Sequence, residues 1–222
     1  MRPRGVTLDA FGTLLDHGLG TIEDAAAEIA RDFDLPVGAG GFLEAWQERY
    51  FGLLNGGPFR TIAEANGISL RETASAFGAS GDLGPYLDRM LERWTRLRPY
   101  PEAPRVLEAL RGTPVAVVSN ADHALLLQVL RDGGIPLPHV ISSERARCYK
   151  PDPRIFREAL RELGLAPGEV LHVGDSLDAD VRGAAAVGMR TVWVNRRGLT
   201  RGDGPQPDHE LRDLDGLLDL LI

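Results

Sequence analysis

The chain of 222 residues is 43% hydrophobic and carries a formal charge of −7, enough apolar material for one full-sized domain and a smaller one. The negative balance excludes nucleic acid or an anionic membrane surface as the expected main partner, and no apolar run is long enough to cross a bilayer. A single cysteine, Cys148, excludes an internal disulfide framework and suits a reducing compartment.

A short apolar run ends in Asp9 and is followed by Gly12-Thr13. It reads as a buried strand that carries one carboxylate to its C-terminal tip, with Gly12 permitting a sharp turn. Because this strand starts almost at once, no signal peptide is expected, and the protein is expected in the cytoplasm. Over 21–34 the pattern is helical, with Ile22, Ala26, Ile29 and Phe33 on one stripe. Gly38-Ala39-Gly40-Gly41 should break the chain before a second helix over 42–54, which Asn55-Gly56-Gly57-Pro58 stops. Shorter helices are expected over 60–66, 70–77 and 86–97. With no strand-like alternation, residues 16–98 read as an all-helical module inserted after the first strand. An exposed apolar face on it could pair subunits into a homodimer.

Beyond Pro101 the texture becomes strand, helix, strand. A helix over 101–111 precedes a β-branched run, 114–118, that ends in Ser119-Asn120. A helix over 122–131, a weaker strand over 139–142 and a helix over 154–163 follow, the last opened by Lys150-Pro151-Asp152-Pro153. The strand 170–173 ends in Gly174-Asp175-Ser176, a helix covers 177–187, and a fifth strand covers 191–194. Residues 196–207 read as a loop and 214–222 as a short final helix. Strands alternating with helices of this length predict an α/β fold built on a doubly wound parallel sheet.

In such a sheet the strand tips share one crevice, so Asp9, Ser119-Asn120 and Asp175 converge there. Lys150 is the only lysine in the sequence and stands where a helix could bring its ammonium to the same edge. Two carboxylates, a hydroxyl and a cation suit an anionic substrate held with a divalent metal.

The four segments Asp9-Ala10-Phe11-Gly12-Thr13, Val118-Ser119-Asn120, Lys150-Pro151-Asp152-Pro153 and Val173-Gly174-Asp175-Ser176 with Asp180 occur in this order. Together they resemble the haloacid dehalogenase superfamily of hydrolases. The resemblance implies a Rossmann-like core of residues 1–15 and 99–222, with residues 16–98 as a helical cap. It also implies roles: Asp9 as nucleophile, Thr13, Ser119 and Asn120 at the transferring group, and Lys150 as the neutralising cation. Asp9, the Phe11 carbonyl and Asp175 would hold Mg²⁺, with Asp180 behind them. Ser176 reads as a helix cap, Asp178 as solvated, and Cys148 as a small buried residue. His17, His123 and His172 show no metal-like spacing and read as structural or peripheral. Arg49 and Arg60 are the cap residues that could touch a substrate anion.

One departure bears on the substrate. Phosphatases of the superfamily usually carry a second aspartate two residues after the nucleophile, where this chain has Phe11. An aromatic there resembles the 2-haloacid dehalogenases, which work without metal. Those enzymes lack the paired acids retained here as Asp175 and Asp180, use a cap arginine near the place of Gln47, and carry a tyrosine where this chain has Phe156. The expectation is a Mg²⁺-dependent phosphatase acting on a small phosphorylated metabolite. The alternatives are a 2-haloacid dehalogenase and a catalytically weak ligand-binding protein. A Schiff-base route through a cap lysine is excluded, since the insertion has none.

Overall fold

The structure, a computed structural model, describes residues 2–135 and 137–221. Strand β1 (Gly5–Leu8) leads into four helices, α1 (Leu19–Asp32), α2 (Gly38–Asn55), α3 (Ile62–Ala76) and α4 (Gly84–Thr95). The chain then alternates through α5 (Ala103–Ala109), β2 (Val115–Ser119), α6 (His123–Asp132), β3 (His139–Ser142), α7 (Ser143–Ala146), α8 (Pro153–Leu163) and β4 (Val170–Gly174). A widened helical turn, Leu177–Arg182, continues as α9 (Gly183–Ala185) before β5 (Arg190–Val194), β6 (His209–Leu211) and α10 (Leu217–Leu220). Two compact units result: residues up to His17 with those from Arg98 onward, and Gly18–Leu97. Among the described residues no helix is long and apolar enough to cross a membrane.

The α/β unit is a six-stranded sheet in the order β3-β2-β1-β4-β5-β6. Every pairing in it is parallel and helices cover both faces, the doubly wound, Rossmann-like class that the alternation predicts. Covered strands need apolar residues on both sides, and Val115, Ala116, Val117 and Val118 are accordingly all buried. β1 lies between β2 and β4, so the chain's direction of travel across the sheet reverses beside it. That switch point brings Ser119, Asp9 and Asp175 to neighbouring positions on the carboxyl edge. Below this edge α8 buries Ile155, Phe156, Ala159 and Leu160 against Val118, Ile141 and Val170. Asp152 caps α8 by accepting from the Arg154 N–H at 2.8 Å, Pro153 takes the first turn, and Gly164 ends it at φ 64°.

The helical unit packs Ala26, Ile29, Phe42, Trp46, Leu70 and Met90 into its own core. Here two boundaries differ from expectation. α2 begins at Gly38, so the glycine run forms its first turn instead of a break. Each glycine costs about 1 kcal/mol in a helix, while Phe42 and Trp46, both buried on this helix, contribute about 1.5–3 kcal/mol for a side chain of their class. The helices expected over 60–66 and 70–77 are one, α3. Thr61 and Glu64 cap it reciprocally.

Two further differences concern the α/β unit. The segment after 207 is a short edge strand, β6, whose three residues are too few to show alternation. The helix expected over 177–187 opens as a π-helical turn, in which the Val181 N–H reaches the Ser176 carbonyl five residues back. Such a widened turn inserts a residue and re-aims side chains, often at a functional site. Ile222, placed in the expected final helix, lies outside the described residues.

Candidate active site

The sequence around Asp9 builds a tight turn at the tip of β1. Gly12 takes φ +91°, and a Cβ there would lie 2.5 Å from Asp175 Oδ2 and 2.8 Å from His17 Cδ2. Glycine is therefore required for conformation and for space. Thr13 follows, its hydroxyl buried and without a hydrogen-bond partner among the described residues. Arg196 holds the turn in place by donating to the carbonyls of Gly12 at 3.2 Å and Thr13 at 2.9 Å. The same guanidinium pairs with Glu102 at 2.6 Å and lies 3.6 Å over the Tyr100 ring.

Lys150 arrives from the loop before α8. Its backbone is clasped by Asn120, which accepts from the Lys150 N–H at 2.7 Å and donates to its carbonyl at 3.2 Å; the Lys150–Pro151 bond is cis. The ammonium, on a residue only 6% exposed, donates to Asp9 Oδ1 and to Asp180 Oδ1, each at 2.6 Å. Asp180 reaches it because the π-helical turn aims its side chain beneath Gly174, where a Cβ would lie 2.2 Å from the Asp180 carboxyl carbon. The other Asp180 oxygen accepts from the Ser176 N–H at 3.0 Å, and the Ser176 hydroxyl caps the turn on Ala179 at 3.0 Å. Asp178 pairs with Arg182 on the exposed side of the turn.

Asp9, Asp175 and Asp180 each offer a carboxylate oxygen, and these atoms lie within 4.8 Å of one another. One ammonium, paired with Asp9 and Asp180, stands against three carboxylates and leaves the cluster short of positive charge. Burial, partly countered by Lys150 but reinforced by Asp180 and Asp175, pushes Asp9 up to about 7. Asp180 stays well below the usual carboxylate range, because Lys150 and a hydrogen bond from His172 outweigh its burial. Burial alone would lower Lys150, but Asp180 and Asp9 overcome it and hold the ammonium firmly protonated.

The donor set fits a hard divalent cation such as Mg²⁺. It is all carboxylate oxygen, carries excess negative charge, and has the orphaned Thr13 hydroxyl beside it in sequence. Asp180 is committed to Lys150, His172 and Ser176, so Asp9 and Asp175 are the acids suited to face such an ion.

Two residues that spacing marked as peripheral lie in this network. His172 is buried within β4 and bonds Asp180 Oδ1 at 3.1 Å and Thr7 Oγ1 at 2.8 Å; burial lowers its imidazole and keeps it neutral. His17 bonds Asp175 Oδ2 at 3.1 Å and the Tyr100 hydroxyl at 3.1 Å. These contacts span stretches of sequence that no local spacing encodes. One signal existed: Thr7 and His172 are register partners in adjacent strands and the polar exceptions in two apolar runs. His123 instead bonds Ser142 away from the acids. Cys148 packs in the core behind α8. In the helical unit, Arg49 donates to the Ala45 carbonyl of its own helix and Arg60 to the Pro58 carbonyl.

A family model for haloacid dehalogenase-like hydrolases matches residues 3–188. The chain is 28% identical to (S)-2-haloacid dehalogenase H-109 of Pseudomonas putida, covering all of both chains. It is 32% identical to phosphoserine phosphatase of Thermus thermophilus over 83% of this chain and 86% of that one. The solved structure of a defluorinating L-2-haloacid dehalogenase superposes with a TM-score of 0.77 at 28% identity, covering 100% of this chain and 98% of that one. With its fold, its motif order and a matching family model over most of its length, this chain belongs to the haloacid dehalogenase-like hydrolases.

Proposed function

We propose that this hydrolase is a Mg²⁺-dependent phosphatase that acts on a small phosphorylated metabolite through an aspartyl-phosphate on Asp9. The observation that carries this reading is the convergence of three carboxylates within 4.8 Å beside one buried ammonium. Dehalogenation has no use for a third acid, whereas phosphoryl transfer with a cation does. An Asp9 carboxylate oxygen attacks phosphorus, the bond to the leaving oxygen breaks, and the electron pair departs with that oxygen. Water then cleaves the acyl phosphate, returning Asp9 and releasing phosphate. The Thr13 and Ser119 hydroxyls donate to the transferring oxygens, and Lys150 offsets the charge between Asp9 and substrate. Asp9, Asp175 and the Phe11 carbonyl would hold Mg²⁺, which when bound screens the phosphoryl charge. Phe11 supplies no proton, so substrates whose leaving group departs as a stable anion, acyl and aryl phosphates, are favoured over alkyl ones.

A second reading, metal-independent hydrolysis of a 2-haloacid through an ester on Asp9, draws support from the full-length similarity to (S)-2-haloacid dehalogenases and from the aromatic Phe11. Against it, Gln47 and Phe156 supply neither a cation nor a hydroxyl. Turnover of acetyl phosphate, p-nitrophenyl phosphate, an alkyl phosphate and 2-chloropropionate, each with Mg²⁺ or EDTA and with Asp9→Asn as control, separates the two. Mg²⁺-dependent phosphate release supports the first reading. Halide release that survives EDTA overturns it in favour of the second.

A further inference from the structure

We infer that His172 is a positioning residue: with Thr7 behind it, it fixes the Asp180 carboxylate so that Lys150 is presented to Asp9. The inference rests on the reading of Asp9 as the nucleophile, and its geometry can be tested apart from that chemistry. His172 is 1% exposed, on a strand otherwise composed of apolar residues and glycine. Both ring nitrogens are engaged, Nδ1 with Thr7 Oγ1 at 2.8 Å and Nε2 with Asp180 Oδ1 at 3.1 Å. An ionised carboxylate can only accept, so Nε2 carries the hydrogen, and Nδ1 accepts from the Thr7 hydroxyl. The ring's plane is set by Phe156, whose ring meets it at 89° with centroids 5.0 Å apart. Any other tautomer or ring flip would leave a buried polar atom unmatched, which is costly.

The consequence falls on Asp180. Its Oδ1 takes donors from both His172 and Lys150, and its Oδ2 takes the Ser176 N–H, so the carboxylate cannot rotate. The Lys150 ammonium, at 2.6 Å from each acid, is thereby held where it also reaches Asp9. Thr7, His172, Asp180, Lys150 and Asp9 form one unbroken chain of donors and acceptors from the centre of the sheet to its reactive edge. A residue needed for packing alone would be replaced adequately by an apolar side chain of similar size; this one would not.

The test uses ¹⁵N-histidine-labelled protein at pH 7 and acetyl phosphate turnover with Mg²⁺. The expected spectrum shows His172 as the neutral Nε2–H tautomer, with an Nε2 resonance that moves in Asp180→Asn. In His172→Leu, kcat should fall about 10- to 100-fold, the range usual for outer partners of site residues, while KM stays nearly constant. His172→Gln, which can return an N–H near the Nε2 position, should recover most of that loss. If the leucine variant does not fold, Thr7→Val replaces it, and a shifted Nδ1 resonance with the Nε2–H tautomer retained, together with a smaller drop in kcat, is expected. An Nδ1–H tautomer in the wild type, unchanged kcat in His172→Leu, equal impairment of the leucine and glutamine variants, or an unaltered Thr7→Val spectrum would overturn the inference. The Nε2–H spectrum without turnover on any phosphate would support the positioning geometry and count against the proposed chemistry.

Discussion

Replacing Lys150 with methionine removes the one cation that two buried carboxylates share. The ammonium donates at 2.6 Å to both Asp9 and Asp180, with all three side chains almost wholly shielded from solvent. Breaking a buried ion pair by deleting one partner typically costs ~3–5 kcal/mol. In a protein of this size each kcal/mol moves Tm by ~2–4 °C, so Lys150→Met should lower Tm by ~6–20 °C near pH 8. The pH dependence follows from the carboxylates. Asp180 is held low by Lys150, so its contribution is present above the unfolded carboxyl pKa and is lost as pH falls. Without the ammonium, Asp9, already raised by burial, rises further, and a raised carboxyl costs stability increasingly as pH climbs above its unfolded value. The Asp9 effect falls between the two pH values and makes the deficit large at pH 8 and smaller at pH 5, whereas the Asp180 contribution is present at both and is lost only below the unfolded carboxyl pKa. Thermal unfolding followed by circular dichroism at the two pH values measures it. A loss of Tm as large at pH 5 as at pH 8, or one below ~2 °C at pH 8, would refute the claim that these charges are coupled.

Phe11→Asp should raise turnover of an alkyl phosphate toward the ~10²–10⁴-fold that a positioned general acid supplies, with little effect on acetyl phosphate; steady-state rates on the two substrates check this. Gly174→Ala places a methyl 2.2 Å from the Asp180 carboxyl carbon, and overpacking of this kind costs ~1–3 kcal/mol or more, so both Tm and kcat should fall. Because Asp9 is pushed up to about 7 and attacks as the anion, kcat/KM at limiting Mg²⁺ should rise with pH through that value, and saturating Mg²⁺ should move the acid limb lower; pH–rate profiles at the two Mg²⁺ levels show the direction. Lys150 should resist acylation by an amine reagent in the native protein and react once urea unfolds it, as peptide mass analysis would record.

The sheet was legible because covered parallel strands must be apolar and end abruptly. The runs ending at Asp9, Ser119 and Asp175 announced themselves by the polar residue after each apolar stretch. Lys150 stood out as the sole lysine, and its place before a proline-capped helix gave its direction. Asp180 is marked by the family resemblance, but the π-helical turn that aims it is not legible, since a widened turn has the same apolar pattern as an α-helix over so few residues. The glycines of α2 misled for a different reason: propensity is a local quantity, and the burial of Phe42 and Trp46 that overrides it is not. His172 and His17 carry no local signal because their partners lie in distant segments. Only the cross-strand match of Thr7 with His172 in two apolar strands left a trace in the sequence.

The central claim is that Asp9 forms a covalent bond to substrate. The most direct measurement is acid quench of the enzyme during turnover of acetyl phosphate, borohydride reduction, and mass analysis of the peptide that contains residue 9. Reduction of an acyl phosphate at that carboxyl converts Asp9 to homoserine, and this conversion, present with substrate and absent without it, is the predicted result. An unmodified Asp9 in enzyme quenched at full turnover, or reduction at Asp175 or Asp180 instead, would contradict the account.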